Sequence, residues 1–223
     1  TLIATYQSKD LHDNRDSTQT YESKSSQSMP LALQFDYRDA FDGITYGSAS
    51  WTPGKLKLDA GLTAVDDYKS NGRFHKVNLD VVRLQSLPAG FNLMAHLSWQ
   101  QANKNLDSSE KLSLGGASGV RAYPSGEATG DEGGLVQLEL RYDAGAYTPY
   151  AFMDAGRITV NAKPVAAGDN RRSLSGGGLG LRYQRQAWSA DVALAWRSIG
   201  GRSLSETNSD PKPRVWLNVE YRF

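Results

Sequence analysis

The residue types that most often do chemistry are present in this sequence, but not at the spacings such chemistry needs. The three histidines, His12, His75 and His96, lie far apart, and no His-Glu-x-x-His pair that would hold a zinc ion occurs. They read as side chains of a surface or an inner polar face, and no metal site is expected. The sequence has no cysteine, which excludes disulfide frameworks, thiolate metal ligands and cysteine nucleophiles. Serines are plentiful, yet no Gly-x-Ser-x-Gly elbow is found. Asp131 and Glu132 could form an acid–base pair, but Gly130 and Gly133 around them favour a turn. The run Ser175 to Gly180 looks like a phosphate loop only at first sight. It opens a strand pattern, so it lacks the helix N-terminus that would bind an anion. No catalytic residue and no cofactor are expected, and the protein is not read as an enzyme.

Bulk composition narrows the class further. The 223 residues carry 25 Lys+Arg against 24 Asp+Glu, a balance that lacks the basic excess of a nucleic-acid binder. Thr1 to Asp10 lack the basic-then-apolar pattern of a secretory leader, so none is expected within this chain. Stretches such as Val192 to Trp196 are far shorter than the ~18–20 apolar residues of a helical membrane span. A mean hydropathy of -0.53 would suit a soluble protein. It equally suits a transmembrane β-barrel, whose strands are apolar outside and polar inside.

Period-two alternation decides for strands. Val136, Leu138, Leu140 and Tyr142 share one parity, and Gln137, Glu139 and Arg141 the other. Val215, Leu217, Val219, Tyr221 and Phe223 alternate with Arg214, Trp216, Asn218, Glu220 and Arg222. The segments 91–100, 178–184 and 188–197 do the same, and 31–38 more weakly. Along 76–87 the apolar phase flips at Val81–Val82, which predicts a β-bulge. Pro53-Gly54 reads as a kink inside one long strand over 44–64, and Tyr150–Gly156 is apolar on both faces except at Asp154. About ten strands result. Short connections (41–43, 87–90, 143–147, 184–187) take turns with long polar ones (10–28, 65–73, 104–133, 161–173, 200–211), as in an up-and-down barrel with tight periplasmic turns and long external loops. Trp99, Tyr142, Trp188, Trp196 and Tyr221 recur near strand ends, as in an interfacial girdle. The fold expected is all-β, an antiparallel transmembrane barrel; a soluble sandwich would alternate too, but without that girdle.

The longest connection, Asn103 to Gly134, is glycine-rich around an ordered-looking centre: Gly119, Val120, Arg121, Ala122, Tyr123 and Pro124. With Leu112 to Gly116 before it and Ser125, Gly126, Glu127 and Gly130 to Gly133 after it, the segment resembles the sixth external loop of the TpsB transporters. These are the haemolysin secretion/activation proteins of two-partner secretion. The superfamily signature is Val-Arg-Gly-aromatic, and Ala122 stands where many members have glycine. Arg83 to Leu87, Asn103 to Lys111, Glu139 to Tyr142 and Phe152 to Gly156 also fit the family.

The resemblance carries several implications. The barrel would have 16 strands, with Thr1 near strand 7. Residues 1–223 would be its C-terminal part, without the family's plug helix, periplasmic POTRA domains and first six strands. The 104–133 loop would fold into the lumen, and Arg121 would pair bidentately with Asp154 of the Phe152-x-Asp154-x-Gly156 strand. Gly156 and Ala155 would be small where the loop nears the wall. Tyr221 and Phe223 would form the C-terminal signal read by the barrel assembly machinery. The function implied is an outer-membrane pore of a Gram-negative bacterium. It would secrete and activate a partner exoprotein: a haemolysin, an adhesin or a contact-dependent toxin. The partners implied are that exoprotein, outer-membrane lipid and the assembly machinery. A barrel-assembly factor of the same superfamily and a passive porin are the alternatives.

Overall fold

The computed structural model describes residues 1–15, 20–59, 66, 69–206 and 210–223; for 13–15 and 20–22 it describes the backbone alone. The strands are β1 (Leu2–Ala4), β2 (Gln7–Arg15), β3 (Thr20–Ser28), β4 (Leu31–Arg38), β5 (Gly43–Leu58), β6 (Gly72–Ser86) and β7 (Phe91–Ala102). After them come β8 (Leu112–Ser113), β9 (Thr129–Gly130), β10 (Glu132–Tyr142), β11 (Tyr147–Thr159), β12 (Arg171–Arg185), β13 (Trp188–Arg197) and β14 (Arg214–Tyr221). Among the described residues one 12-stranded sheet runs β1-β4-β5-β6-β7-β10-β11-β12-β13-β14, all nine neighbouring pairs antiparallel, with β2 and β3 off this path. The all-β, antiparallel expectation holds; the sheet has twelve strands rather than about ten, the extra two being β2 and β3. Among the described residues, no helix is long and apolar enough to cross a membrane.

The register carries one apolar face along the main path of the sheet. Cross-strand partners share a face. Val136 opposes Leu97 and Ala155; Leu138 opposes Ala95 and Met153; Leu194 opposes Leu179 and Val215. On the other face Gln137 opposes His96 and Asp154, and Arg182 opposes Asp191. Rings cap the apolar band at the end with the short turns. Phe91–Tyr142, Tyr147–Tyr183 and Trp188–Tyr221 lie 5.0, 5.2 and 4.8 Å apart, and Phe223 packs on Tyr221 at 5.2 Å. This is the outer surface of a transmembrane barrel wall with an aromatic girdle. Leu138→Arg, mid-strand on the apolar face, is therefore expected to destabilise the inserted wall by about 2–4 kcal/mol. Asn218→Arg, on the inner face, should cost little. Urea unfolding in bilayers would compare them, and equal midpoints would mean the faces are misassigned.

Three details differ from the sequence reading. The flip at Val81–Val82 is not a bulge: β6 pairs without interruption with both neighbours, Val81 opposite Leu97 and Val82 opposite His96. Val82 and Leu84 simply face inward, while Arg83 takes the outer face near the turns, bonded to Asp39 at 2.7 Å. Within the 10–28 segment, residues 10–15 and 20–28 are strand, not loop. They belong to the β2–β3 hairpin, whose polar residues are held by ladder bonds to each other and to β5, not by an apolar face. β5 does run through Pro53 and Gly54 as a single strand but ends at Leu58; residues 60–64 lie outside the described residues.

The buried core lies on the inner face of the wall. Leu135, Tyr150, Phe152, Ile158, Leu174, Ala193 and Ala195 cluster with Leu114, Val120, Ala122 and Tyr123 of the 103–131 connection. Parity marks this face as the polar one. It is apolar where the connection covers it, because those side chains leave water there.

Candidate functional site

The 103–131 connection folds back against the inner face. Its β8 and β9 pair as Leu112 with Gly130 and Ser113 with Thr129, closing its two arms into a small hairpin. It touches strands at both ends of the sheet. Glu110 bonds Lys9 of β2 at 2.7 Å and Lys76 of β6 at 3.0 Å, and Lys24 of β3 reaches Asp107. The Trp216 indole of β14 donates to the Arg121 carbonyl at 2.7 Å. A sheet touched at both ends by one loop must curl around it.

Arg121 stands at the centre. Its Nε and Nη2 donate to Asp154 Oδ2 and Oδ1 at 2.9 and 2.7 Å, the planar fork that matches a carboxylate. The Arg121 backbone N–H donates to the same Asp154 Oδ2 at 3.0 Å. Nη1 donates to Glu139 Oε1 at 2.5 Å, and the guanidinium lies 3.6 Å from the Phe152 ring centroid. Arg121, Glu139 and Asp154 are 5 %, 2 % and 1 % exposed, so the cluster is buried. Glu139 is shared further by Arg141 at 2.6 Å and Arg182 at 3.1 Å. Next to Asp154, Gln137 donates to the Gly119 carbonyl at 2.9 Å.

Small residues make the approach possible. A Cβ on Gly156 would meet Leu114 Cδ2 at 2.7 Å, and one on Gly176, opposite Asp154, would collide with the Ala122 methyl. Further along β12 the Phe152 ring lies across Gly178 and the Tyr150 ring across Gly180. The glycines that suggested a phosphate loop are thus an inner-face groove for rings and loop. Pro124 is buried, and the Gly119 backbone packs against Leu114.

A second anchor lies at Tyr123 and Glu127. The Tyr123 hydroxyl is 2.9 Å from the Ile199 carbonyl oxygen and 3.1 Å from that of Gly201. The Glu127 carboxylate accepts from the Ser203 hydroxyl (2.9 Å), the Ser205 hydroxyl (2.7 Å) and the Ser205 N–H (2.8 Å), and pairs with Arg172. Burial pushes the Glu127 carboxyl up, but these hydrogen bonds outweigh it and hold it below its ordinary value of 4.5.

The structure brings together Gly119, Val120, Arg121, Ala122, Tyr123 and Pro124 with Phe152, Asp154 and Gly156. Tyr221 and Phe223 sit at the far end of β14, in the girdle and away from this cluster. Asp131 and Glu132 do not pair. Asp131 accepts from the Leu106 and Ala162 N–H groups, whereas Glu132 belongs to β10. Among the described residues no group of His, Asp and Glu is arranged to hold a metal. Sequence reasoning placed Glu139 on the inner face but missed it as a ligand of Arg121, and it missed Gln137, Trp216 and Arg172 as contacts. The one legible signal was Trp216, a tryptophan on the polar parity of its strand.

An antiparallel wall, apolar outside and holding a long loop on its inner face by a buried arginine cluster, defines a transmembrane β-barrel of the loop-in-lumen kind. Comparison with known proteins narrows this. The family described as "Haemolysin secretion/activation protein ShlB/FhaC/HecB" matches residues 15–183, and the chain belongs to that family. A relative, the heme/hemopexin transporter protein HuxB of Haemophilus influenzae (strain 86-028NP), is 29 % identical over 229 residues, 96 % of this chain. The chain spans 39 % of that relative's length. Among solved structures, CdiB from Escherichia coli has a TM-score of 0.56 at 13 % identity, over 97 % of this chain and 49 % of that one. CdiB from Acinetobacter baumannii has 0.50 at 18 % identity, over 99 % and 47 %. At such identities these two likenesses speak for the fold.

Proposed function

We propose that this chain is the C-terminal part of the wall of an outer-membrane pore that secretes a partner exoprotein in two-partner secretion. The carrying observation is the Arg121 cluster, which fastens a long loop inside the wall where a passing chain would have to move it or slip beside it. Membership of the secretion/activation family supports the reading, as does the name of the heme/hemopexin transporter relative. The exoprotein would cross unfolded, along the polar inner face, and fold outside; that folding would supply the driving force. The rest of a 16-stranded barrel and the periplasmic domains would come from outside residues 1–223, with β1 and β14 as the edges that continue it. Tyr221 and Phe223 would serve the assembly machinery, and the apolar band would meet outer-membrane lipid. The test is secretion of the exoprotein encoded beside this protein, in cells with and without the full-length pore. Its appearance in the medium should require the pore. Unchanged secretion without the pore would reject the proposal.

A further inference from the structure

The outer face of β5 and β6 changes character above its last apolar row. That row is Leu31, Trp51 and Val77, with Trp99 opposite Leu79 one step below. Toward the long connections the next row pairs Pro53 with His75, and the one after it pairs Lys55 with Arg73, beside Gln27 of β3. Lys55, Arg73 and His75 are exposed, and none of their side chains has a hydrogen-bond or ion-pair partner among the described residues. Like charges directly opposed on neighbouring strands repel. No carboxylate of the described residues occupies these two rows. Lys57, one row further out, is different: Asp10 and Asp59 border the same hollow. At ~3.4 Å per residue and the usual strand tilt, the three side chains stand roughly 5–10 Å above the apolar band. That is the height of the polar headgroup layer.

We propose that Lys55, Arg73 and His75 form a binding site for the phosphate groups of the outer-leaflet lipid, with Trp51 beneath them against its acyl chains. The Arg73 fork suits two phosphate oxygens, Lys55 adds a point charge, and His75 adds a donor. A bound phosphate would turn the Lys55–Arg73 repulsion into a shared attraction. The site rests on the outer-membrane placement proposed above. Unlike the loop cluster, it faces away from any translocating chain.

The test is a titration of the purified full-length protein in detergent with bisphosphorylated lipid A, read by native mass spectrometry. The variant K55Q/R73Q/H75Q should lose about 100–1,000-fold in apparent affinity, since each charge-assisted contact is worth about tenfold and two or three are removed. Lipid A stripped of phosphate should bind the wild type as weakly as intact lipid binds the variant. Inorganic phosphate at equal concentration should not displace the lipid. Unchanged affinity in the variant would overturn the site, as would equal binding of the phosphate-free lipid or displacement by inorganic phosphate alone. Fractionation of wild-type cells tests the membrane placement separately, because the titration does not depend on it.

Discussion

Arg121→Ala is expected to free the 103–131 loop from the wall and to be the most damaging single change in the site. A lumen open to water would limit the loss to the ~1–3 kcal/mol of a charged hydrogen bond. The cluster is instead buried, and removing one partner of a buried pair costs about 3–5 kcal/mol. The two carboxylates fare differently. Glu139 keeps Arg141 and Arg182. Asp154 loses its one cation and keeps only the Arg121 backbone N–H and a 3.4 Å contact from Gln137. Asp154→Ala should be milder, because the arginine it abandons still has Glu139. The double variant should be little worse than Arg121→Ala, since the two groups act as a unit. Arg121→Lys should fall between, keeping charge but not the fork. Val120 is fully buried and the chain has no native cysteine, so a cysteine placed at Val120 reports loop opening. Its labelling rate should rise about a hundredfold or more in the Arg121→Ala background. Secretion should fall while the barrel still assembles. Normal labelling and normal secretion, or defects that simply add, would mean that something else holds the loop.

The second large effect is expected at Glu127. Alanine there leaves the Ser203 and Ser205 hydroxyls, the Leu204 and Ser205 N–H groups and the Arg172 guanidinium without their common acceptor. The expected loss is about 3–5 kcal/mol, and it should fall on the 198–206 connection rather than on the wall. Hydrogen exchange would show it directly: protection of Leu204 and Ser205 should collapse while that of β10 and β11 persists. The same carboxylate sets a pH dependence. Its pKa is depressed in the fold, so its stabilisation is fully present above the ordinary 4.5 and is lost as pH falls through the lower folded value. Protection at Ser205, corrected for intrinsic exchange, should therefore decline in wild type below that point. Glu127→Gln should lack this dependence. An undiminished wild-type signal well into the acid range would assign the anchor to Tyr123 alone.

How much of this was legible in the sequence follows from which forces are local. Alternation along one strand is set by the pleat, so Val136, Leu138 and Leu217 could be assigned to the outer face without knowing their neighbours. The Val120–Tyr123 motif and Asp154 pointed to each other through the family pattern. Where residues obeyed parity but not polarity, the reading went astray. Val82 and Leu84 were taken for a bulge because an inner face was assumed to be polar. The β2–β3 hairpin was taken for a loop because its strands lack an apolar face, though ladder bonds hold them.

The sequence by itself determined the antiparallel all-β wall and its two faces, and through the family pattern it pointed to the arginine and aspartate of the site. Only the tertiary structure decided what surrounds them. Glu139 as the second acceptor of Arg121, the Gly176 space that admits Ala122, and the clasp of Glu127 on Ser203 and Ser205 all join residues distant in sequence. The physical reason is register. Period two says which way a side chain points, but which side chain stands opposite it depends on the pairing of whole strands and on a loop that packs only once the wall has curled.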